Sequence, residues 1–283
     1  MTVLEGIQKS AEFLVKKGVE SPRLQAELLL AHVLKLARMK LYLNFERALA
    51  PAEVDQLREL VRRRGLREPL QHLTGTVSFC GLEIAVNRHA LIPRPETELL
   101  AEAGWRFLST LDPGPSTVLD FGTGSGCLAI ALAAKNQAAK IFALDVSAEA
   151  LALAKQNAEA NHVAERIEFL PGDGLAALPG GLRFDLIISN PPYIASGEIA
   201  SLEPEVRDHD PRLALDGGVD GLDFYRKLAA GARALLNSTG KIMVEFGDGQ
   251  AEAIRKIFEM QNWIVEAVQP DYSQRLRILI ARC

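Results

Sequence analysis

The second half of the chain alternates two patterns. Short, nearly unbroken apolar runs are separated by longer stretches in which apolar residues recur every three or four positions. The first pattern predicts strands covered on both faces, the second amphipathic helices. The expected strands are TVLDF (117–121), KIFALD (140–145), RIEFL (166–170), FDLIIS (184–189) and GKIMVEF (240–246). Between them lie helical stretches: CLAIALAAK (127–135), SAEALALAKQNAEAN (147–161) with Ser147 as its cap, a segment from about 221 to 236, and QAEAIRKIFEMQ (250–261). Two last runs, WIVEAVQ and RLRILIA, suit a terminal hairpin. Such alternation predicts an α/β fold with a doubly wound, mainly parallel sheet.

The first 70 residues carry helical periodicity and almost no strand signal. Ser21-Pro22 predicts a helix start, with a hydroxyl cap and proline in the first turn. Pro51 opens a second such segment, PAEVDQLRELVRRRG, with Gly65 as its expected stop. A bundle of three to five helices is expected over 1–72. Residues 73–92 then read as a β-hairpin linker, with Val77–Cys80 and Leu82–Val86 flanking Gly81. The third region, 93–283, begins with PRPETE leading into a helix through Leu108, and DPGPS (112–116) reads as loop.

Composition narrows the class. An apolar fraction of 48% and a charged fraction of 24% are those of an ordinary globular protein. The longest apolar run, Cys127 to Ala134, is far short of the roughly 20 residues of a membrane span. The amphipathic start lacks the layout of a secretory signal. Three dispersed cysteines and five scattered histidines show no disulfide framework and no zinc spacing. A cytoplasmic protein with no metal site and no membrane association is expected. Charge is uneven: residues 1–72 hold 13 Lys and Arg against 9 Asp and Glu, and the remainder 19 against 27. The acidic body argues against a broad nucleic-acid groove, whereas the basic front could meet a nucleic-acid-rich assembly.

Two motifs carry chemistry. DFGTGSG (120–126) follows a strand and opens a helix, where an open α/β sheet binds a nucleotide-like ligand. Gly122, Gly124 and Gly126, with Thr123 and Ser125 between them, let the backbone approach that ligand. The dinucleotide fingerprint wants Gly or Ala where this chain has Cys127. The departure suits an adenosine ligand without pyrophosphate, such as S-adenosylmethionine. Asp145, ending the next strand, is placed to accept from both ribose hydroxyls. It could instead cap the helix that follows, but Ser147 serves there. Asp173 sits where the adenine would lie, and a plain loop acid in PGDG is nearly as good a reading.

The second motif is Asn190-Pro191-Pro192-Tyr193, which ends the strand FDLIIS. Prolines are tolerated where pairing has ceased, and they fix φ and remove N–H donors. Two acceptors remain, the Asn190 side-chain oxygen and the Pro191 carbonyl. They match the two hydrogens of a substrate –NH2 group, with Tyr193 as a flat wall beside it. An amide or aromatic amine is a weak nucleophile whose nitrogen gains positive charge as a methyl group arrives. Fixed acceptors stabilise that growing charge more than the ground state.

These motifs, together with REPLQHLTG (67–75), LIPRPETE (91–98), VRDHDPRLALDGGVDGLDFYRKL (206–228) and SQRLRILIAR near the end, resemble the HemK/PrmC family of protein-(glutamine-N5) methyltransferases. The resemblance spans nearly the whole chain. It implies a Rossmann-like class I S-adenosylmethionine-dependent methyltransferase domain with a seven-stranded, mainly parallel sheet. It implies transfer of a methyl group to the glutamine side-chain amide of the Gly-Gly-Gln motif in peptide chain release factors, which modulates translation termination, with S-adenosylhomocysteine as product. By motif match Gly122, Thr123, Gly124, Ser125, Gly126, Asp145, Asp173, Gly174 and Asn190 would hold the cofactor. Asn190, Pro191, Pro192 and Tyr193 would hold the glutamine, with Asn190, Pro191 and Tyr193 catalytic. The helical front would dock the release factor, and a monomer without direct nucleic-acid contact is implied. Gly174 departs from the family, many members of which carry an aromatic residue there.

Two other readings use the same residues. One is methylation of an adenine amino group in DNA or RNA, which would want a basic, aromatic-rich recognition surface. The aromatic fraction is 6% and the body is acidic. The other is a non-catalytic module that senses S-adenosylmethionine, for which an intact Asn190-to-Tyr193 turn has no purpose.

Overall fold

A computed structural model describes residues 1–111 and 114–283; of the loop expected at 112–116, positions 112 and 113 lie outside the described residues. The chain divides into two units. One comprises Met1–Thr76 together with Glu203–His209, the other Val77–Leu202 together with Asp210–Cys283.

Residues 1–76 of the first unit form five helices: α1 (Val3–Lys16), α2 (Pro22–Leu34), α3 (Arg38–Leu41), α4 (Pro51–Gly65) and α5 (Leu70–Thr74). Thr2 and Glu5 close a reciprocal capping box at the start of α1. Two expected helix signals work differently. Ser21 makes no side-chain cap, because its backbone is left-handed at φ 47°. Its hydroxyl is therefore not aimed at the first-turn N–H groups. α4 ends at Gly65 as expected, but as its last helical residue, where α1 approaches closely: a Cβ there would lie 2.5 Å from the Phe13 ring. Arg67, at φ 70°, takes the left-handed position after the helix instead. The apolar faces close over Ile7, Leu14, Leu29, Leu30, Leu41 and Leu57.

The second unit opens with the hairpin β1 (Thr76–Phe79) and β2 (Leu82–Ala85), turned through Cys80 and Gly81, both at positive φ. It continues through α6 (Pro95–Leu108), β3 (Thr117–Phe121), α7 (Cys127–Lys135), β4 (Lys140–Asp145), α8 (Ala148–Ala160), β5 (Ile167–Pro171) and β6 (Phe184–Ser189). After α9 (Pro204–Arg207), which belongs to the first unit, come α10 (Arg212–Leu215), α11 (Asp223–Gly231), β7 (Leu236–Glu245), α12 (Ala251–Met260), β8 (Ile264–Pro270) and β9 (Leu276–Arg282). The helix expected from about 221 to 236 is shorter, since the chain tightens to a 3-10 turn at Ala232–Leu235 and enters β7 four residues earlier than expected.

The seven strands run in the order β5-β4-β3-β6-β7-β9-β8; β5 through β7 are mutually parallel, and β9 pairs antiparallel with both neighbours. Alternate residues enter opposite layers. Val118, Ala143, Leu186 and Ile188 pack with Leu100, Leu128 and Leu132 on one face. Leu119, Phe142, Ile187 and Val244 pack with Tyr225, Leu228, Ile254 and Phe258 on the other. Both faces are thus covered, which is why these strands read as continuous apolar runs. From β3 the chain proceeds to β4 on one side, while β6 lies on the other. The crevice beyond the carboxyl ends of β3 and β6 is the topological switch point.

Candidate functional site

A cavity opens at that switch point. Its lining includes the loop after β3, the end of β4, the loop after β5, the turn after β6, and Pro93, Arg94, Thr97 and Phe224.

The loop after β3 is held by its backbone. The N–H groups of Gly122 and Thr123 both donate to the Leu144 carbonyl, at 2.9 and 3.0 Å. Gly122 and Gly124 have positive φ, and a Cβ on either would meet nothing within 4 Å. The loop therefore curves around open space, and glycine supplies the conformation that other residues resist. Thr123 and Ser125 are buried and line the cavity. Gly126 does a different job. It precedes α7 and faces α8, where a Cβ would lie 3.0 Å from that of Ala154.

Asp145 is engaged on both oxygens. Oδ2 accepts from Gly124 N at 2.8 Å, and Oδ1 from Ser147 N at 2.9 Å. Ser147 Oγ caps α8 by accepting from Ala150 N. Each Asp145 oxygen has a further lone pair for a ligand hydroxyl. Asp173 and Gly174 also line the cavity. Gly174 has φ 80°, and space is open where its Cβ would be.

On the other side, Ser189 Oγ donates to the Phe121 carbonyl at 2.6 Å and ties the ends of β6 and β3 together. Asn190, the next residue, lines the cavity with Pro192. Its Nδ2 donates to Thr97 Oγ1 at 3.0 Å, which leaves Oδ1 buried and without a partner. The amide is thus fixed with its acceptor unsatisfied. Pro191 is buried. Tyr193 packs beside the core layer that holds Tyr225 and Phe246, and its carbonyl accepts from Gln250 Nε2 at 2.9 Å. Burial, and then the nearby Glu245, push its hydroxyl up to about 12, so it stays protonated. Asn190 and Pro192, rather than Pro191 and Tyr193, are the members of the turn that face the cavity.

Beyond Tyr193 the chain closes on itself. Ile194 bridges Asp216, and Ser196 Oγ donates to Asp216 Oδ1 at 2.6 Å.

Sequence reasoning assigned no role to several nearby residues. Thr97 and Arg94 stand within LIPRPETE, and Phe224 within the long block 206–228, so only their place in a matched block could have flagged them. Arg94 lines the cavity and donates to the buried Asp210 at 2.6 Å. Two carboxyl groups are also buried at the strand ends. Asp120 is 0% exposed, and Glu245 is 2% exposed. Burial raises both to about 7. Asp120 accepts from Thr123 Oγ1 and Ala129 N. Among the described residues there is no cluster of His, Cys, Asp and Glu suited to a metal ion, and no helix is long and apolar enough to cross a membrane.

Residues 5–75 match the model of the PrmC N-terminal domain, and residues 101–204 that of the methyltransferase small domain. A release factor glutamine methyltransferase of Geobacter sulfurreducens is 46% identical over 257 residues, covering 91% of this chain and 88% of that protein. This chain belongs to the release factor glutamine methyltransferase family. The match is nearly end to end with a family member from Moorella thermoacetica, 41% identical over 99% of this chain and 98% of that protein. The fold is also similar to that of a Pyrococcus furiosus methyltransferase, with TM-score 0.51, 22% identity, and coverage of 72% of this chain and 90% of the other. It is similar to a Thermus thermophilus 16S rRNA methyltransferase in complex with AdoMet and guanosine, with TM-score 0.52, 20% identity, and coverage of 73% and 49%.

Proposed function

We propose that this protein methylates the side-chain amide nitrogen of a glutamine in a peptide chain release factor, in its Gly-Gly-Gln motif, and so modulates translation termination. The observation that carries the reading is the Asn190 amide, pinned through Nδ2 with Oδ1 unpartnered at a cavity beside the glycine loop. Family membership supplies the substrate class.

The residues present fit S-adenosylmethionine. The side-chain-free curve at Gly122 and Gly124 admits a ligand against backbone, and Asp145 keeps acceptor capacity toward a ribose. Gly122 to Ser125, Asp145, Asp173 and Gly174 would hold the cofactor, with Gly126 setting the loop by packing on α8. When bound, S-adenosylmethionine supplies an electrophilic methyl group. The protein's own part is placement. Asn190 Oδ1, which is unpartnered at the cavity, accepts a hydrogen of the glutamine –NH2. It fixes the nitrogen in line with the methyl group and stabilises the positive charge that grows there. Pro192 and Tyr193 fix the shape of the turn. The proton leaves after transfer, when the nitrogen has become acidic, so no strong base need touch it.

The helical unit, in this reading, docks the release factor. Its residues 1–72 carry the basic excess of the chain. The protein acts as a cytoplasmic monomer without binding nucleic acid directly, a reading supported by the acidic balance of the remainder. Mass spectrometry of a purified release factor after incubation with enzyme and cofactor tests the proposal. A single added methyl on the Gly-Gly-Gln glutamine is expected, and an unmodified glutamine overturns the reading.

A further inference from the structure

Glu245 ends β7, which lies beside β6. In that pairing Ser189 stands opposite Val244, so the next positions outward are Asn190 and Glu245. Glu245 is 2% exposed, and its Oε2 has no hydrogen-bond partner. Neighbouring elements bring other groups toward it. Thr97 and Glu96 come from α6, Asn190 and Tyr193 from the turn after β6, Tyr225 from α11 and Arg277 from β9. Arg277 is committed elsewhere, since its guanidinium bonds Asp271 at 3.2 Å. A carboxylate buried with no dedicated cation is costly, and nothing in the packing of the sheet requires an acid at this position.

We infer that Glu245 is a positioning residue for methyl transfer, acting through Thr97 and Asn190 to hold the Asn190 acceptor toward the substrate amide. This rests on the role given to Asn190 above. The chemistry follows from donor counting. Asn190 Nδ2 has two hydrogens, and one goes to Thr97 Oγ1. Hydrogen bonding from the Thr97 hydroxyl and from Asn190 favours the ionised carboxylate, against a burial cost that lifts Glu245 to about 7. An ionised carboxylate only accepts, so it engages the Asn190 nitrogen and leaves Oδ1 free for the substrate. A protonated carboxyl group carries a donor. Asn190 Oδ1 can accept it after the amide turns, and the acceptor is then withdrawn from the glutamine. The ionised form also places negative charge near the nitrogen that becomes positive. Asp120, the other acid that burial raises to about 7, lies near the end of β3 and bonds the glycine loop instead.

The test is the single-turnover methylation rate of an intact release factor by wild type and by Glu245→Gln across the neutral pH range, with cofactor affinity measured in parallel. The wild-type rate should fall as pH drops through about 7, where Glu245 takes up its proton. Glu245→Gln should lose that limb. At alkaline pH it should run about 10- to 100-fold slower, the scale of loss from a misplacement of about 1 Å, with unchanged cofactor affinity. Glu245→Asp should keep the limb at a reduced rate. A Gln variant as fast as wild type, or a loss confined to KM, overturns the inference. So does a wild-type rate that stays flat through neutrality, a measurement that requires no variant to fold. A wild type that leaves the release factor unmethylated at every pH overturns the functional reading itself, and the inference with it.

Discussion

The helical unit and the carboxyl end of the parallel sheet treat buried carboxylates in opposite ways. In the helical unit such groups are paired. Glu27, 2% exposed, accepts from Arg23, Arg38 and the Tyr42 hydroxyl. Burial alone would raise Glu205, yet hydrogen bonds from Arg67 and Arg64 hold it below the usual carboxylate range. In the sheet unit Asp210 and Asp271 are likewise paired, with Arg94 and Arg277, but Asp120 and Glu245 near the carboxyl ends of parallel strands are buried without an adjoining cation, and both are raised to about 7. Pairing stabilises a fold, while an unmatched acid costs stability and is tolerated where it does something else. The unmatched acids stand at the carboxyl ends of β3 and β7, flanking the end of β6 and its Asn190. The helical unit therefore pairs its buried acids with arginines, and the sheet unit keeps two unmatched acids on the strands that flank Asn190.

The sharpest way to break this contrast is Asn190→Ala. Loss of one fixed acceptor should lower the methyl-transfer rate by about 10²- to 10³-fold, while cofactor affinity stays the same. Unchanged turnover in a rapid-quench assay would show that the unpartnered oxygen has no part in the chemistry. The stability of the sheet unit should carry the second signature. For a carboxyl group raised by the fold, the cost of ionisation is absent below its unfolded value and complete above about 7. Stability should therefore fall as pH rises from about 5 to 8, by roughly 2–3 kcal/mol for each of Asp120 and Glu245. Urea unfolding across that range reads the slope, and Glu245→Gln should remove about half of it. A slope equal in wild type and variant would mean that Glu245 is not strained by burial.

Asp145 offers a smaller test, because its oxygens are partly spent on Gly124 and Ser147. Asp145→Ala should weaken cofactor binding by about 10- to 100-fold, the loss of one charge-assisted hydrogen bond or two. Calorimetric titration with S-adenosylmethionine measures it. A variant that binds normally but transfers slowly would move Asp145 from the cofactor to the reacting centre.

How far this contrast was legible beforehand differs between its halves. The strands of the sheet unit were readable because both faces are covered, and the glycine loop because its conformation demands glycine. The turn at Asn190 was readable because two prolines end a buried strand abruptly. Glu245 was not, since one acid inside KIMVEF looks like any residue at a strand end. Only the neighbouring strand shows what it faces. Thr97 was hidden in the same way, being local to α6 in sequence and adjacent to Asn190 only in space. Ser21 misled in its capping role, because a cap signal is local and the left-handed backbone there turns the hydroxyl away. The pairing of residues 203–209 with α4 is a contact across about 140 positions, which no local pattern encodes.

That pairing supplies the smallest test. Arg67 donates to Glu203 Oε2 at 2.9 Å and forms an ion pair with Glu205 Oε2 at 2.7 Å, while Arg64 donates to Glu205 Oε1 at 2.6 Å. Glu203 is 78% exposed on its side chain and Glu205 19%, so the two contacts of Arg67 differ in worth. The exposed one is screened by water and salt, and Arg64 remains to satisfy Glu205 when Arg67 is gone. Arg67→Ala should therefore cost no more than about 1 kcal/mol in urea unfolding, and less in high salt. A salt-independent loss several times larger would mean that Glu205 depends on Arg67 alone. The helical unit would then hold its own unmatched acid, and the contrast with the sheet unit would lose its basis.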